Sequence, residues 1–476
     1  MGGALADTLN AYLLAHWAGN ADPAVVGGPD EVWAGTELIR RAAGAAAWLD
    51  ELGAPEGGPV PALLDESPAA IAIALGASLS GRSLAPLGTK LPADELALAM
   101  AGLGAGLLVG EPARAELAGE VARRTGAQLA LVERAPEPVD LTAPRGSPDD
   151  VAAVIHTSGT TGTPRPVLMR HAPLVARTRI YSSAIELGPG DRYCSASPYH
   201  HVAGMGMALV ALAAGAAVIP CPGFTPAEWR RLRSLDPTHA LLVPTMIDRL
   251  LAEGDLDASL HVLQYGAAPI HPDTLAEAIR AAPSTRLIQI FGQTEVSPIT
   301  VLSHDDHVRA ASGDTSLLRS VGRPLPEVEL QIEDPDAEGI GELVVRAPHA
   351  FDADADGWRR TGDLGCLDPE GYVFLHGRRN DRIVRGGENI YPVEIEAVLV
   401  SHPEVVEACV VGVPDRRWGE VVKAVVVTRP GAEVTAAALQ AHVRDRLAHF
   451  KVPALIEFTR ELPRTPSGKV LRRALV

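Results

Sequence analysis

The residues that could do chemistry begin at 154–167, V-I-H-T-S-G-T-T-G-T-P-R-P-V. An apolar run at 151–155 reads as a buried strand, and the chain then breaks into hydroxyl residues and glycines, with Arg165 between Pro164 and Pro166. Glycine lets a ligand approach the backbone closely, while free amides and Ser/Thr hydroxyls donate to phosphate oxygens. The stretch therefore reads as an anion cradle. No Gly-Lys-Ser/Thr follows at the required spacing, so it is not the phosphate loop of ordinary NTPases. A Ser/Thr/Gly-rich surface turn is the competing reading, and this stretch alone does not separate the two. Two other sets of residues carry less. The run H-D-D-H at 304–307 has metal-ligand residue types, but nothing elsewhere completes a site, so a polar loop is expected. Cys194, Cys221, Cys366 and Cys409 form no C-x-x-C pair, which argues against a zinc knuckle or a disulfide framework and fits a reducing cytoplasm.

These residues must be positioned by a large scaffold. A chain of 476 residues exceeds one ordinary core, so two or more domains are expected. Hydrophobic content of 47% with 21% charged residues describes a soluble globular protein, and a net charge of −17 argues against a nucleic-acid partner. The N-terminus lacks a basic region ahead of an apolar core, and the apolar stretch 69–79 is too short to span a bilayer, so neither signal peptide nor membrane span is expected. Helical spacing at 37–52 and 69–79 alternates with short apolar runs at 59–64 and 106–110. The alternation resumes with strands at 216–219, 240–243, 262–265 and 286–291, and helices at 226–235 and 272–281. It predicts α/β layering with parallel strands. Runs at 341–346 and 372–375 read as a more antiparallel region. The sequence G-R-R-N-D-R at 377–382 is the boundary candidate. It separates 1–376 from a compact unit at 383–476 with helices at 392–400 and 436–448 and strands at 407–413 and 421–428.

Several motifs occur in a fixed order along almost the whole chain. They are T-S-G-T-T-G-T-P-R-P at 157–166, P-Y-H-H-V-A-G at 198–204, Y-G-A-A-P-I at 265–270 and F-G-Q-T-E at 291–295. W-R-R-T-G-D-L at 358–364, G-R-R-N-D-R-I at 377–383, G-G-E-N-I-Y-P at 386–392 and P-R-T-P-S-G-K-V-L-R-R at 463–473 complete the set. One such motif would be weak; the ordered set is specific. On it the chain resembles the adenylate-forming superfamily of acyl-CoA synthetases, firefly luciferase and peptide-synthetase adenylation domains. Within that superfamily it is most similar to acyl-CoA synthetases. The resemblance implies a large N-terminal domain of layered α/β sheets with a β-barrel-like part, and a small mobile α+β C-terminal domain that turns about the hinge. It also implies ATP, Mg²⁺ and a small carboxylic acid as reactants, an acyl-adenylate intermediate, and coenzyme A as the thiol acceptor. A carrier-protein phosphopantetheine or another nucleophile is the alternative acceptor, and a non-catalytic nucleotide-binding homologue is the third reading.

The resemblance also assigns residues. Thr157, Ser158, Gly159, Thr160, Thr161 and Gly162 would hold the β- and γ-phosphates, with Arg165 where the family usually has lysine. Thr294 would meet the α-phosphate and Glu295 the Mg²⁺, because a hard cation takes oxygen ligands. Gly266, Ala267, Ala268 and Phe291 would flank adenine. Asp363 would accept from both ribose hydroxyls, helped by Arg378. Lys469 would bridge the attacking carboxylate and the α-phosphate, and it is one of four lysines, with Lys90, Lys423 and Lys451. His201 matches the histidine at the mouth of the acyl site, Asn380 stands at the hinge, and Gly386, Gly387 and Trp418 would line the pantetheine path. The acyl lining would include Met205, Met207 and Val296. Read alone, Glu295 is a carboxylate at a strand end, Asp363 a turn aspartate, His201 a core histidine and Lys469 an exposed lysine.

Overall fold

The computed structural model describes residues 7–158, 164–268, 270–464 and 470–476. Gly159, Thr160, Thr161, Gly162 and Lys469 lie outside the described residues. The chain packs as two compact units. The first takes the described residues up to Glu329 together with Arg346–Arg359, and the second takes Leu330–Val345 and Arg360–Val476.

Two sheets build the first unit. The larger has nine strands in the order Arg323–Pro324, Thr300–Leu302, Arg286–Phe291, Val262–Gly266, His239–Leu242, Arg192–Ser195, Ala217–Pro220, Pro23–Gly28, Glu31–Ala34. Its central strands run parallel, as the α/β alternation predicts, and their short apolar runs are buried throughout. The second sheet has six strands, Gln128–Leu131, Leu107–Gly110, Pro59–Leu63, Ser83–Pro86, Val151–Ser158 and Pro164–Arg170. Here the last pair, Val151–Ser158 with Pro164–Arg170, is antiparallel. Pro164 and Pro166 sit on its outer strand, an edge position that tolerates residues without an N–H.

Between the strands, helix Pro68–Leu79 has Ser67 as its N-cap, accepting from Ala70 N, and Pro68 at its first turn. It is buried on nearly every side, which is why its sequence is uniformly apolar rather than amphipathic. A Cβ on Gly76 would lie 2.5 Å from Ala42 O, so this glycine lets the helix Gly35–Glu51 approach closely. One expectation is corrected. The H-D-D-H run is not a loop but the start of helix His304–Ala311, nucleated by a capping box between Ser303 and Asp306. His307 is a buried core histidine bonded to Ser303 O and the Tyr265 hydroxyl.

In the second unit, Glu329–Glu333, Gly341–Arg346, Trp358–Leu367 and Val373–Arg378 form a four-stranded sheet, where a barrel-like part was expected. The one-turn helix Arg379–Asp381 leads into a five-stranded sheet built on the long hairpin Val405–Asp415 and Gly419–Thr428. Ile395 and Leu399 of helix Pro392–Val400 and Leu439 and Val443 of helix Ala436–Arg444 bury against Val410, Val422 and Val426 of that hairpin. The segment 377–382 thus runs within the second unit, whose packing joins the four-stranded sheet to the C-terminal residues. No described helix is long and apolar enough to cross a membrane.

Candidate active site

In the first unit, the motif residues leave the carboxyl ends of neighbouring parallel strands, the usual place for a ligand in an open α/β sheet. Strand Val262–Gly266 ends in Gly266, where a Cβ would stand 2.3 Å from Ile290 O of the adjacent strand. Only glycine fits there. Ala267 follows with φ +66°, a left-handed conformation that costs an L-residue about 1 kcal/mol and marks sites where backbone placement matters. Ala268 beside it is exposed. Phe291 closes the neighbouring strand Arg286–Phe291, and Thr294 and Glu295 lie in the turn after it, half-buried.

Glu295 has a partner that the sequence did not reveal. Its carboxylate is 3.1 Å from the Arg359 guanidinium, with both side chains largely buried, at 16% and 12% exposed. Arg359 also reaches Asp352, 3.3 Å from its carboxylate and 2.6 Å from its carbonyl. Arg165, on strand Pro164–Arg170, is 2.8 Å from the same Asp352 carboxylate. Two arginines and two carboxylates therefore alternate, Arg165–Asp352–Arg359–Glu295. Arg359 belongs to the W-R-R-T-G-D-L motif, where the resemblance gives it no role, and Asp352 lies outside every motif. Their separation from Glu295 in sequence hides the contact. Thr157 donates its hydroxyl to Arg165 O at 3.3 Å, across the antiparallel pair these residues form. A single carboxylate such as Glu295 suits Mg²⁺, which completes its octahedron with phosphate oxygens and water.

The P-Y-H-H-V-A-G motif forms a turn followed by a π-helical segment, Val202–Gly206, capped by His201. Such segments are frequent at functional sites. Gly204 is required, because a Cβ there would lie 2.1 Å from Pro198 O. The His200 and His201 ring centres lie 4.0 Å apart with their planes tilted by 43°, and burial, reinforced by His201, His156 and Lys90, pushes His200 down to about 3. Burial lowers His156 as well. The histidine group is thus neutral at His156 and His200 near pH 7. His156, in the first motif strand, went unnoticed because a histidine within a β-run carries no spacing signal. Burial also raises the carboxyl of Glu66, which accepts from Tyr199 N at 2.9 Å. Met205, Met207 and Val296 are buried.

In the second unit, Asp363 lies 8% exposed on strand Trp358–Leu367 and pairs in register with Arg378. Arg378 Nε is 2.7 Å from its carboxylate, and a second nitrogen donates to Thr361 O at 3.3 Å. Asn380 is exposed within the turn Arg379–Asp381. Gly386 and Gly387 have φ of +61° and +93° at the tip of a tight hairpin, and Gly386 N donates to Trp418 O at 2.8 Å. Trp418 is exposed, with the guanidinium groups of Arg417 and Arg385 4.8 and 5.7 Å from its ring centre. The fold therefore brings Gly386, Gly387 and Trp418 together.

Residues 15–352 match the model of the AMP-binding enzyme family, and residues 394–469 match that of the AMP-binding enzyme C-terminal domain. The chain belongs to the AMP-binding enzyme family. Within it, the chain is 34% identical over 464 residues to a feruloyl-CoA synthase of Amycolatopsis sp, covering 92% of each sequence. It is 36% identical over 366 residues to the fatty acid–[acyl-carrier-protein] ligase ScoC of Streptomyces coeruleorubidus, covering 71% of this chain and 69% of the relative. Among solved structures, the amide bond synthetase McbA from Marinactinospora thermotolerans superposes with a TM-score of 0.86 at 31% identity, covering 98% and 99% of the two chains. These three relatives differ, by name, in the acceptor.

Proposed function

We propose that this AMP-binding enzyme activates a small carboxylic acid with ATP and passes the acyl group to the thiol of coenzyme A. A carboxylate oxygen of the acid attacks the α-phosphorus, the bond to the β-phosphate oxygen breaks, and pyrophosphate leaves with its electron pair. The thiolate sulfur of coenzyme A then attacks the acyl carbonyl, and AMP departs. The observation that carries this reading is the relationship to a feruloyl-CoA synthase over 92% of both chains, together with the ordered motifs.

The barrier to the first step is repulsion between an anionic nucleophile and a polyanionic triphosphate, and positioned charge lowers it. Thr157, Ser158, Gly159, Thr160, Thr161 and Gly162 hold the leaving β- and γ-phosphates, and Arg165 supplies one positive charge to them. Thr294 donates toward the α-phosphate. Glu295 holds Mg²⁺, which when bound spreads the triphosphate charge. Gly266, Ala267, Ala268 and Phe291 bound the adenine plane, Asp363 accepts from the ribose hydroxyls, and Arg378 orients it. Lys469 contacts the attacking carboxylate and the α-phosphate. His201 borders the acid, while Gly386, Gly387 and Trp418 guide the pantetheine arm after the C-terminal residues turn about Asn380.

ATP–pyrophosphate exchange across a panel of aliphatic and aromatic acids tests the first step. Exchange with at least one acid is expected, and no exchange with any acid defeats the reading. Discharge of the formed adenylate onto coenzyme A tests the second. A carrier-protein thiol or an amine is the second reading, favoured by the relationship to ScoC and by the McbA superposition. Discharge onto either of these with none onto coenzyme A establishes it.

A further inference from the structure

The nine-stranded sheet has a second polar focus, at the amino ends of its parallel strands. Asp191, His239 and His261 stand at the starts of three adjacent strands, Arg192–Ser195, His239–Leu242 and Val262–Gly266. One ligand atom from each lies within 4.8 Å of the others. Backbone bonds tie the same three starts together, from Thr238 N to Arg192 O at 3.0 Å and from His261 N to Thr238 O at 2.8 Å. No motif of the adenylating reaction includes these residues.

Hydrogen bonding at this focus leaves a surplus of acceptors. His239 Nε2 is 3.0 Å from Ile185 O, and because a carbonyl only accepts, Nε2 carries the ring proton. Nδ1 therefore presents a lone pair, the tautomer arrangement found in metal-ligating histidines whose other nitrogen is held by a carbonyl. That lone pair is 3.6 Å from Asp191 Oδ1. The Thr238 hydroxyl has a single proton for three acceptors: His239 Nδ1 at 2.8 Å, Asp191 Oδ1 at 3.0 Å and Arg192 O at 3.4 Å. It already accepts from Arg192 N at 3.0 Å. His239 is 1% exposed, so solvent does not supply a further donor to its ring. Asp191 Oδ2 accepts from Gly188 N at 2.9 Å, which fixes the carboxylate.

We propose that Asp191, His239 and His261 form a structural site for one divalent transition-metal ion of the zinc class, holding the amino ends of these three strands together. Two imidazole nitrogens and a carboxylate oxygen are a zinc donor set, with water completing the tetrahedron. Bonds near 2.05 Å give a tetrahedral edge of about 3.4 Å, close to the 3.6 Å already separating Asp191 Oδ1 from His239 Nδ1. His261 is exposed, so its ring can swing to the ion without disturbing the core. Imidazole ligands favour zinc-class ions over Mg²⁺ or Ca²⁺. Strands of four or five residues at about 3.3 Å each put the ion roughly 13–16 Å from the strand ends that carry the adenylation motifs. It therefore acts on the fold rather than on the reaction.

The test uses full-length, tag-free protein stripped by chelator and then titrated with Zn²⁺, with metal content measured after desalting. About one Zn²⁺ per chain is expected, together with a Zn²⁺-dependent rise in melting temperature and no competition from equal Mg²⁺. His261→Ala, at an exposed position, and Asp191→Asn should each weaken binding by at least about tenfold and abolish the rise. The metal-free melting temperature of His261→Ala should match that of the parent, which separates loss of the ion from misfolding. Retention of less than about a tenth of an equivalent by the parent chain, or equal binding by parent and His261→Ala, overturns the proposal.

Discussion

The two carboxylates assigned to ATP, Glu295 in the first unit and Asp363 in the second, are held by arginines in opposite surroundings. Both carboxylates are largely buried, at 16% and 8% exposed. Arg359, the partner of Glu295, is 12% exposed and is shared with Asp352, whereas Arg378, the partner of Asp363, is 53% exposed. A pair desolvated on both sides is fixed by geometry, and removing one member strands a charge at about 3–5 kcal/mol. A pair with one solvated member is worth at most about 1 kcal/mol, and its exposed side chain is free to change partners. The contrast makes Arg359 a positioning residue for Glu295 and leaves Arg378 able to turn toward a ligand.

That contrast can be broken by substitution. Glu295→Gln should lower ATP–pyrophosphate exchange by about 10²–10³-fold, with little change in melting temperature, because Arg359 keeps Asp352. Arg359→Met should do the reverse in kind, lowering unfolding free energy by about 3 kcal/mol in urea titration through the stranded Glu295 carboxylate, while Asp352 keeps Arg165. An unchanged denaturation midpoint would remove the positioning role.

Acid should weaken the first unit before the second. His171, His307 and His349 are each held down to about 4 by burial. Their bonding explains the neutral form. His171 Nδ1 accepts from Leu9 N, His307 Nε2 meets the Tyr265 hydroxyl, and His349 Nε2 donates to Pro298 O. Below the ordinary value of 6.5 the unfolded chain takes up protons that these rings refuse. Stability is therefore full above pH 6.5 and falls toward pH 4, by up to about 1.4 kcal/mol per pH unit for each histidine. In the second unit burial also lowers His376 and His442, but both are only half-buried. Hydrogen exchange across this range should show first-unit amides losing protection earlier, and simultaneous loss in both units would sink the distinction.

Smaller effects sharpen the second-unit side. Asp363→Asn should raise KM for ATP about tenfold, equivalent to about 1.4 kcal/mol, with kcat less affected. Arg378→Ala should cost less than about 1 kcal/mol of stability. A loss as large as that of Arg359→Met would erase the difference between the two arginines.

Much of the fold was legible. Helix Pro392–Val400 and strand Gly341–Arg346 stand where local apolar pattern and Pro placement put them. Helix His304–Ala311 was also readable, since Ser303 and Asp306 have capping-box spacing, but its polar first turn masked the signal. The antiparallel pairing of Val151–Ser158 with Pro164–Arg170 was not, because an apolar run does not say which neighbour it pairs with. The same holds for the candidate site. Ordered motifs name its residues, yet Arg359 and Asp352 became partners of Glu295 and Arg165 only through packing.

By itself, the sequence determined the family, the α/β alternation and the residue types offered to ATP, because these depend on local pattern and short motifs. Only the tertiary structure decided which charges are desolvated together, as at Glu295 and Arg359, and which are left to solvent, as at Arg378. It also decided that Asp191, His239 and His261 meet, since parallel strands bring their starts side by side whatever length of chain separates them. Burial and register are collective properties of the packed chain, and no single segment contains them.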